Sequence, residues 1–282
     1  MFKKADNQLI DIERDVAVSS AGQEGTIQIK NDISFDQVHL VLGTTPTFTT
    51  GTYVDNSLFE RLELYVNNTK VYDLINDAEA DQEPFALIFQ RELMNLKQKV
   101  DMSDNYWILD LPRASGQFHN AYLKYKINTI TNISDDADTE FDTDPTFHLK
   151  VRRKKPNKRY IRIFKDMERI DMSSETSLTK YLSPSEPTFR TQLLMLILTD
   201  DGSIDESNYT NIKLIRGTET IVEGSVNELQ EQAKAIFQKA PTTGFIPIFI
   251  KDKISQYELQ LQITGSAGTD KKIYIGKSQI RL

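Results

Sequence analysis

One pattern of strand, turn, strand and helix occurs twice in this sequence of 282 residues. The first copy runs from FERLELYVNNTKVYDLI, residues 59–75, through an apolar helical stretch to Phe89. The second copy lies about 150 residues later and runs from YTNIKLIRGTETIVEG, beginning at Tyr209, through SVNELQEQAKAIF to Phe237. Few side chains are identical, so the order of buried and exposed positions is what repeats. This favours a duplicated fold over a duplicated active site.

The apolar positions of the two hairpins correspond in pairs: Leu62 with Ile212, Leu64 with Leu214, and Val71 with Ile221. In the first hairpin the apolar residues alternate with Glu63 and Tyr65, which predicts one buried and one outward face. Asn67 and Asn68 supply the turn, because Asn tolerates the left-handed backbone that a two-residue hairpin turn needs.

The composition limits the class of protein. A chain of this length with 39% apolar residues can form two domains of about 140 residues each. With 34 basic and 41 acidic residues the net charge is −7, and we expect no sequence-specific nucleic acid among its partners. The chain has no cysteine, which excludes disulfides, thiolate metal sites and cysteine nucleophiles. Neither a secretory signal nor a membrane-spanning segment is expected.

Further strand candidates flank the first hairpin. Apolar or alternating segments predict strands over residues 26–31, 38–43, 105–111, 121–127 and 147–152. A weak edge strand over residues 48–54 brings the count to eight with the two hairpin strands. Residues 1–22 form either a surface arm or an edge strand. The second half offers a similar set: SLTKYL, LLMLILTD, NIKLIRG, ETIVEG, FIPIFIKD, YELQLQI and KIYIGK.

An amphipathic helix follows each hairpin. In the first half, Asp81 can cap the helix, Pro84 falls in its first turn, and an apolar stripe comprises Phe85, Ile88, Phe89, Leu93 and Leu96. In the second half, Ser225 and Glu228 predict a capping box and Pro241 ends the helix. Its apolar stripe comprises Val226, Leu229, Ala233, Ile236 and Phe237.

A strongly basic segment separates the two halves. Nine of the sixteen residues in KVRRKKPNKRYIRIFK, 150–165, are basic. We therefore predict an N-terminal domain over residues 1–152, a basic linker over 153–170 and a C-terminal domain over 171–282.

Short, evenly spaced strands with Gly- and Pro-containing loops are typical of β-sandwiches. A tight hairpin in the middle of eight strands fits a jelly roll, in which the fourth strand pairs with the seventh and the third with the eighth. Immunoglobulin-type domains would be shorter and would not place a helix at the same position twice. The predicted fold class is all-β: two tandem eight-stranded jelly rolls, each with one flanking α-helix.

The chain resembles the double jelly-roll major capsid proteins of tailless icosahedral bacteriophages with an internal membrane, especially the corticovirus-like members. The resemblance rests on architecture and burial pattern over nearly the whole chain. The segments that carry it most clearly are LELYVNNTKVYDLI with FALIF, and RYIRIFKDMERIDMSSETSLTKYLSPSEPTFRTQLLMLIL.

That resemblance implies a structural role in the virion capsid, after synthesis in the host cytoplasm, without catalysis. Three copies would form a homotrimer of six similar blocks, which gives a pseudo-hexagonal tile for an icosahedral shell. The implied partners are further copies of the chain in neighbouring capsomers, minor capsid and vertex proteins, and lipid headgroups of an internal membrane.

Few residues indicate catalytic chemistry. The histidines His39, His119 and His148 are far apart, whereas a two-barrel cupin enzyme needs a close pair with a further His or Glu. No phosphate loop, dinucleotide fingerprint, GxSxG or HExxH occurs. A glycosidase carboxylate pair has no positive support from the sequence. A second function from another class is a carbohydrate-binding or adhesin protein, which needs a flat aromatic patch on one sheet. Its candidate residues are Tyr53, Tyr65, Tyr72, Tyr106, Tyr122 and Tyr125.

Two charged segments are candidate binding sites. The acidic loop of residues 132–146 offers oxygen ligands for Ca²⁺ at Asp135, Asp136 and Asp138, although it lacks the Gly and Glu of an EF-hand loop. A solvated acidic loop is the alternative. No other cofactor is expected. The basic segment is expected to face the shell interior or its membrane through Arg152, Arg153, Lys154, Lys155, Lys158 and Arg159. A nucleic-acid contact and a connector held by acidic surface are its alternatives.

Overall fold

A computed structural model of the chain describes residues 8–29, 33–75, 85–99, 101–111, 116–117, 120–136, 138, 140–154, 161–164, 168–172, 175–182, 189–201, 203–254 and 259–281. The chain divides into two compact units. Unit 1 comprises Met1–Met94 and Asp101–Lys165, and unit 2 comprises Asn95–Val100 and Asp166–Leu282.

In chain order, the first elements are β1 (Leu9–Ala17), β2 (Glu24–Ile29), β3 (Ser34–Thr44), β4 (Phe59–Val66), β5 (Thr69–Ile75), α1 (Phe85–Gln98), β6 (Tyr106–Asp110), β7 (Gly116–Gln117), β8 (Ala121–Ile127), α2 (Ile130–Ile133), β9 (Thr146–Arg153) and β10 (Ile161–Phe164). One sheet of unit 1 has the order β1-β9-β3-β6, with the short β7 beside β3. The other has the order β2-β8-β4-β5, and β10 pairs with β5 in parallel.

This strand order is that of a jelly roll. Counting the eight long strands in sequence, the fourth, β4, pairs with the seventh, β8, and the third, β3, pairs with the eighth, β9. Both pairings are antiparallel, so successive pairs nest around the β4–β5 hairpin. The predicted pairing of the fourth strand with the seventh is confirmed. The strand that pairs with the eighth is β3, which overlaps the predicted strand 38–43 and not the predicted third strand over 48–54.

Unit 2 contains β11 (Glu168–Asp171), β12 (Ser177–Leu182), β13 (Phe189–Asp200), β14 (Ser203–Ile204), β15 (Tyr209–Arg216), β16 (Glu219–Ser225), α3 (Val226–Phe237), β17 (Phe245–Ile254), β18 (Leu259–Gly265) and β19 (Lys272–Arg281). One sheet has the order β11-β19-β13-β17, with β14 also beside β13. The other has the order β12-β18-β15-β16. Leaving out the short β14, unit 2 repeats the eight-strand order of unit 1.

The central hairpins of the two units have strands of the same length and share a β-bulge at the same position. β4 and β15 occupy residues 59–66 and 209–216, and β5 and β16 occupy 69–75 and 219–225. In each hairpin the register shifts once, which leaves Val71 in unit 1 and Ile221 in unit 2 as the extra residue of a β-bulge. The turns use left-handed residues, as predicted: Asn67 and Asn68 have φ values of 50° and 61°, and Gly217 has φ 59°.

Aromatic side chains fill the centre of unit 1. Phe59 packs edge-to-face against Trp107 and Phe147 with ring centroids 5.0 and 5.1 Å apart, and Tyr125 packs against Phe147 at 5.0 Å. Leu62, Leu64 and Val66 are fully buried, which confirms the predicted inward face of β4. The core of unit 2 is largely aliphatic and includes Leu194, Leu196, Ile212, Leu214, Ile246, Leu261 and Ile263. Edge-to-face contacts add to the area that these rings bury.

The helices lie between the fifth and sixth long strands of each sandwich, as predicted. In α3 the Ser225 hydroxyl accepts a hydrogen bond from the backbone N–H of Glu228, whose carboxylate accepts one from the Ser225 backbone, so the capping box is confirmed. The helix ends at Gln238 in the left-handed conformation. The side chains of Leu93 and Leu96 in α1 are buried, while Asp81, Pro84 and the side chains at 85, 88 and 89 lie outside the described residues. No helix in the described part of the chain has the length and apolarity to cross a bilayer.

Other segments differ from the sequence prediction. The predicted strand over residues 48–54 is wrong, since this Thr-rich segment forms only isolated bridges, Thr47 to Thr143 and Tyr53 to Ser134. The edge-strand alternative for the N-terminal segment is correct, because β1 pairs with β9. β10 and β11 lie within the range predicted as a linker. Basic residues surround the short segments IRIF and ERID, and a dense run of charge is typical of a solvated connector, so the local pattern does not indicate strands there.

Candidate functional site

His39 belongs to a buried polar cluster on β3. Its neighbours Val38 and Leu40 face the core, so its imidazole lies on the opposite face of the sheet, yet only 5% of the residue is exposed. The Nδ1 atom lies 2.6 Å from the Tyr106 hydroxyl and Nε2 lies 3.0 Å from the Gln37 side-chain oxygen. The Gln37 amide then donates to Asp110 at 3.2 Å. Both ring nitrogens are therefore occupied by neighbouring side chains.

The protonation state of His39 follows from this environment. Burial lowers its pKa to about 4, and the positive charge of Arg152 acts in the same direction, whereas Asp36 and Asp110 oppose it. The imidazole is consequently neutral at pH 7. Among the described residues no group of three His, Asp or Glu side chains is placed to hold a metal ion.

The other histidines do not extend this cluster into a metal site. In β9, His148 accepts a hydrogen bond at Nδ1 from the backbone N–H of Asp15 at 3.1 Å. His119 lies outside the described residues. His39 and His148 are strand residues, as the sequence predicts, and each ring has structural partners.

The predicted basic site begins inside a sandwich strand. Arg152, in β9, forms a two-pronged ion pair with Asp36, with N–O distances of 2.7 and 2.6 Å. These hydrogen bonds raise the pKa of the Arg152 guanidinium, and only 12% of the Asp36 side chain is exposed. Arg153 and Lys154 are partly exposed, while Lys155, Lys158 and Arg159 lie outside the described residues. Arg152 therefore links β9 to β3 through its ion pair with Asp36, in addition to the lipid- or interior-facing role that the sequence predicts.

The acidic loop of residues 132–146 packs on the Thr-rich loop that follows β3. Asp135 accepts hydrogen bonds from the backbone N–H and the hydroxyl of Thr52, both at 2.6 Å. Asp138 accepts from the backbone N–H of Gly51 at 2.8 Å, from both donors of Thr50 and from the Ser134 hydroxyl at 3.0 Å. These two carboxylates join the two loops at one end of the sandwich.

The hydrogen-bond donors around Asp135 and Asp138 lower the pKa of both carboxyl groups. Hydrogen bonds from Thr52 lower the pKa of Asp135. Burial acts to raise the pKa of Asp138, but the donors of Gly51, Ser134 and Thr50 outweigh it, so this pKa is also lowered. A Cβ atom at position 51 would lie 2.0 Å from the Ser134 hydroxyl oxygen and 2.6 Å from an Asp138 carboxylate oxygen, so a larger residue there would displace these side chains. The Thr-rich sequence was the signal for this contact, and sequence reasoning missed it. Binding of Ca²⁺ by Asp135, Asp136 and Asp138 stays a prediction.

A charged network that the sequence did not reveal covers the outward face of β4 and β5. Arg61 contacts Glu63 at 2.6 Å and Asp73 at 3.1 Å, and Lys70 contacts the same two carboxylates at 2.6 and 2.8 Å. The ring of Tyr65 stacks on Tyr122 of β8 with centroids 4.7 Å apart and planes 11° from parallel. The pairs Arg61–Asp73, Lys70–Glu63 and Tyr65–Tyr122 join neighbouring strands across the sheet.

This aromatic pair does not form a flat sugar-binding patch. Because Tyr65 and Tyr122 are stacked face to face, each ring covers one face of the other, and Lys124 lies 5.4 Å from the Tyr65 centroid. Tyr72 and Tyr125 are buried in the core. The tyrosines therefore do not favour the carbohydrate-binding alternative.

Unit 2 has a groove of about 370 Å³ between α3, β16 and β17, lined by both apolar and charged side chains. Its lining includes Ile221, Val222, Leu229, Ile236 and Phe249. Ile236 is 55% exposed, which is unusual for a large apolar side chain in this protein. The groove follows the strand β16, which ends its sheet.

No protein-family model matches this sequence, and no curated protein matches it. Solved structures do share its fold. The major capsid protein of Sulfolobus Turreted Icosahedral Virus is 11% identical with a TM-score of 0.70, over 97% of this chain and 96% of that chain. The major capsid protein P2 of bacteriophage PM2 is 9% identical with a TM-score of 0.62, over 97% of both chains.

The capsid of the virus PBCV-1 gives a third comparison: 9% identity and a TM-score of 0.58, over 100% of this chain and 96% of that chain. These coverages extend over both units. The chain therefore has the double jelly-roll fold along nearly its whole length, which confirms the predicted fold class.

We expect the buried imidazole of His39 to make stability depend on pH. Its pKa is about 4 in the folded chain and near 6.5 when unfolded, so the unfolded state binds the extra proton between these values. The free energy of unfolding should therefore fall by ~2 kcal/mol from pH 7 to pH 5 through this group alone. Urea unfolding followed by Trp107 fluorescence, the only tryptophan, measures it.

The variant His39→Gln should lose this part of the pH dependence. His148→Gln removes a histidine from β9 but leaves the His39 contacts intact, so it should retain it. Equal pH dependence in wild type and His39→Gln would contradict the assignment.

The loop contacts of Asp138 predict a second outcome. Asp138→Asn should lower the melting temperature by the same few degrees in calcium and in chelator, because the backbone donors of Thr50 and Gly51 lose a charged acceptor. Glu140→Gln, an exposed neighbour, is the control and should change little. A loss seen only in calcium would instead support the Ca²⁺ site and contradict a purely structural role for this carboxylate.

Proposed function

We propose that this protein is the major capsid subunit of an icosahedral virus. The observation that carries the proposal is the repetition of one jelly roll within a single chain, with the same strand order, the same bulged hairpin and a helix at the same position. The similarity to viral major capsid proteins over 97% of this chain supports it. The role is structural and requires no catalytic residue.

The duplicated fold has a geometrical use in a shell. Three copies of a chain with two similar units supply six similar blocks, so a homotrimer forms a pseudo-hexagonal tile. A ring of this kind needs head-to-tail contacts that close after three copies. The stability of such a tile comes from the surface that neighbouring copies bury. The proposed partners are the other copies, adjacent capsomers, and minor capsid and vertex proteins.

The finer proposal is that the shell encloses a membrane, as in corticovirus-like phages. The basic segment, from Arg152 to Arg162, would then face the anionic lipid surface. Each Lys or Arg near such a surface gains about 1 kcal/mol of attraction. In support, this segment holds Lys155, Lys158 and Arg159 within a protein of net charge −7.

We expect the purified chain to have the mass of three copies in light scattering. Negative-stain images should show six-lobed particles or hexagonal arrays, because each copy contributes two blocks. The variant Arg61→Ala serves as a matched control. It removes the ion pairs of Arg61 with Glu63 and Asp73, which lie within unit 1, and should leave the trimer intact. A protein that remains monomeric at micromolar concentration would contradict the capsid proposal.

The membrane proposal is tested by flotation with liposomes. The protein should float with vesicles that contain anionic lipid, and less so as salt rises, because salt screens the attraction. Changing Lys155, Lys158 and Arg159 to Gln should abolish flotation, whereas the same change at Lys180, Lys234 and Lys239 should not. Flotation that depends neither on anionic lipid nor on salt would contradict a lipid-facing role.

A further inference from the structure

The two jelly rolls differ at one sheet edge. In unit 1, β5 is flanked on its outer side by β10, which pairs with it in parallel with Phe164 opposite Tyr72. The corresponding strand of unit 2 is β16, in which Val222 corresponds to Tyr72. Among the described residues no strand pairs with the outer edge of β16. An open strand edge of this kind can accept another extended segment.

The strand that flanks β5 has a defined place in the sequence. β10 lies just before β11, the first strand of unit 2. The equivalent segment of unit 1 is the one just before β1, residues 1–7, which lie outside the described residues. The two segments share a sequence pattern: Phe2-Lys3 precedes Ile10-Asp11, and Phe164-Lys165 precedes Ile170-Asp171. The spacing from Phe to Ile is eight residues in the first segment and six in the second, so the segments share the order of these residues and not their length.

The open edge also has a suitable chemistry. The groove beside β16 is lined by Val222, Ile236 and Phe249, so an added strand could place an apolar side chain there. β16 carries two acidic residues, Glu219 and Glu223, whose side chains are 62% and 50% exposed, although each also pairs with a cation of β15, Arg216 and Lys213 respectively. Residues 1–7, MFKKADN, supply two large apolar side chains, Met1 and Phe2, and two adjacent lysines. Apolar and charged groups thus match.

From these observations we infer that residues 1–7 of a second copy add as a parallel strand to the outer edge of β16. By analogy with Phe164 opposite Tyr72, Phe2 lies opposite Val222 and enters the groove. The following Lys3 then lies beside Glu223. Main-chain hydrogen bonds to β16 provide affinity, and the groove provides specificity.

A second copy, and not the same chain, is the occupant for a reason of connectivity. β10, the strand that precedes unit 2 in the sequence, flanks β5 of unit 1. In a closed ring of three chains with six similar units, the segment before unit 1 of one copy occupies the equivalent place on unit 2 of the preceding copy. This inference rests on the proposed trimeric assembly. It adds a strand exchange that fastens each copy to the next.

Disulfide trapping tests the contact directly, because the chain has no native cysteine. In the variant Phe2→Cys/Val222→Cys, oxidation of the purified trimer should produce covalent dimers and trimers on a non-reducing gel, and reductant should remove them. The control Phe2→Cys/Tyr181→Cys places the second thiol on β12, at the opposite edge of the same sheet, where Tyr181 is 61% exposed. The control should stay monomeric on the gel.

The outcomes separate this inference from the function it rests on. A protein that is monomeric in solution overturns both. A trimer with no disulfide in the Phe2→Cys/Val222→Cys variant, or with equal cross-linking in the control, overturns only the strand exchange. A disulfide within one chain overturns the assignment to a second copy.

Charge reversal provides an independent measurement that does not depend on oxidation. Lys3→Glu should raise the trimer dissociation constant about tenfold, because like charges then face each other. The double variant Lys3→Glu/Glu223→Lys should recover most of the loss. An unchanged dissociation constant in Lys3→Glu, or no recovery in the double variant, contradicts the proposed register.

Discussion

The structure of each unit depends on the antiparallel pairing of strands nested around one tight hairpin. Once the turn fixes the register of that hairpin, the outer strands must pair around it in sequence order. A slip of one residue would turn Leu62, Leu64 and Val66 out of the core, so burial and register enforce each other. The shared bulge at Val71 and Ile221 shows that both units solve this constraint in the same way.

The same constraint explains why the units are alike in topology and different in surface. Core positions need only apolar side chains of suitable size, so unit 1 has an aromatic centre around Phe59 and unit 2 an aliphatic one. Strand edges carry no such requirement. One edge is flanked by β10, and its counterpart at β16 is open among the described residues. The two sheet edges are therefore not equivalent, although the strands that form them correspond.

Many charged residues in the described part of the chain have structural partners. Arg152 holds Asp36, Asp135 and Asp138 bind loop donors, and four side chains on β4 and β5 neutralise one another. Partly buried pairs of this kind restrict geometry more than they add stability. Charge content is consequently a poor guide to binding sites in this protein.

The sequence by itself determined the duplicated hairpins, the helices, the capping box at Ser225 and the jelly-roll order, because each follows from local periodicity and turn chemistry. It did not determine the contact of Gly51 with the acidic loop, the Arg152–Asp36 pair, the environment of His39 or the strand β10. These join residues about 70 to 120 positions apart, and no local pattern records such partners. Only the tertiary structure brings them together, because burial and hydrogen bonding between distant segments depend on how the whole sandwich closes.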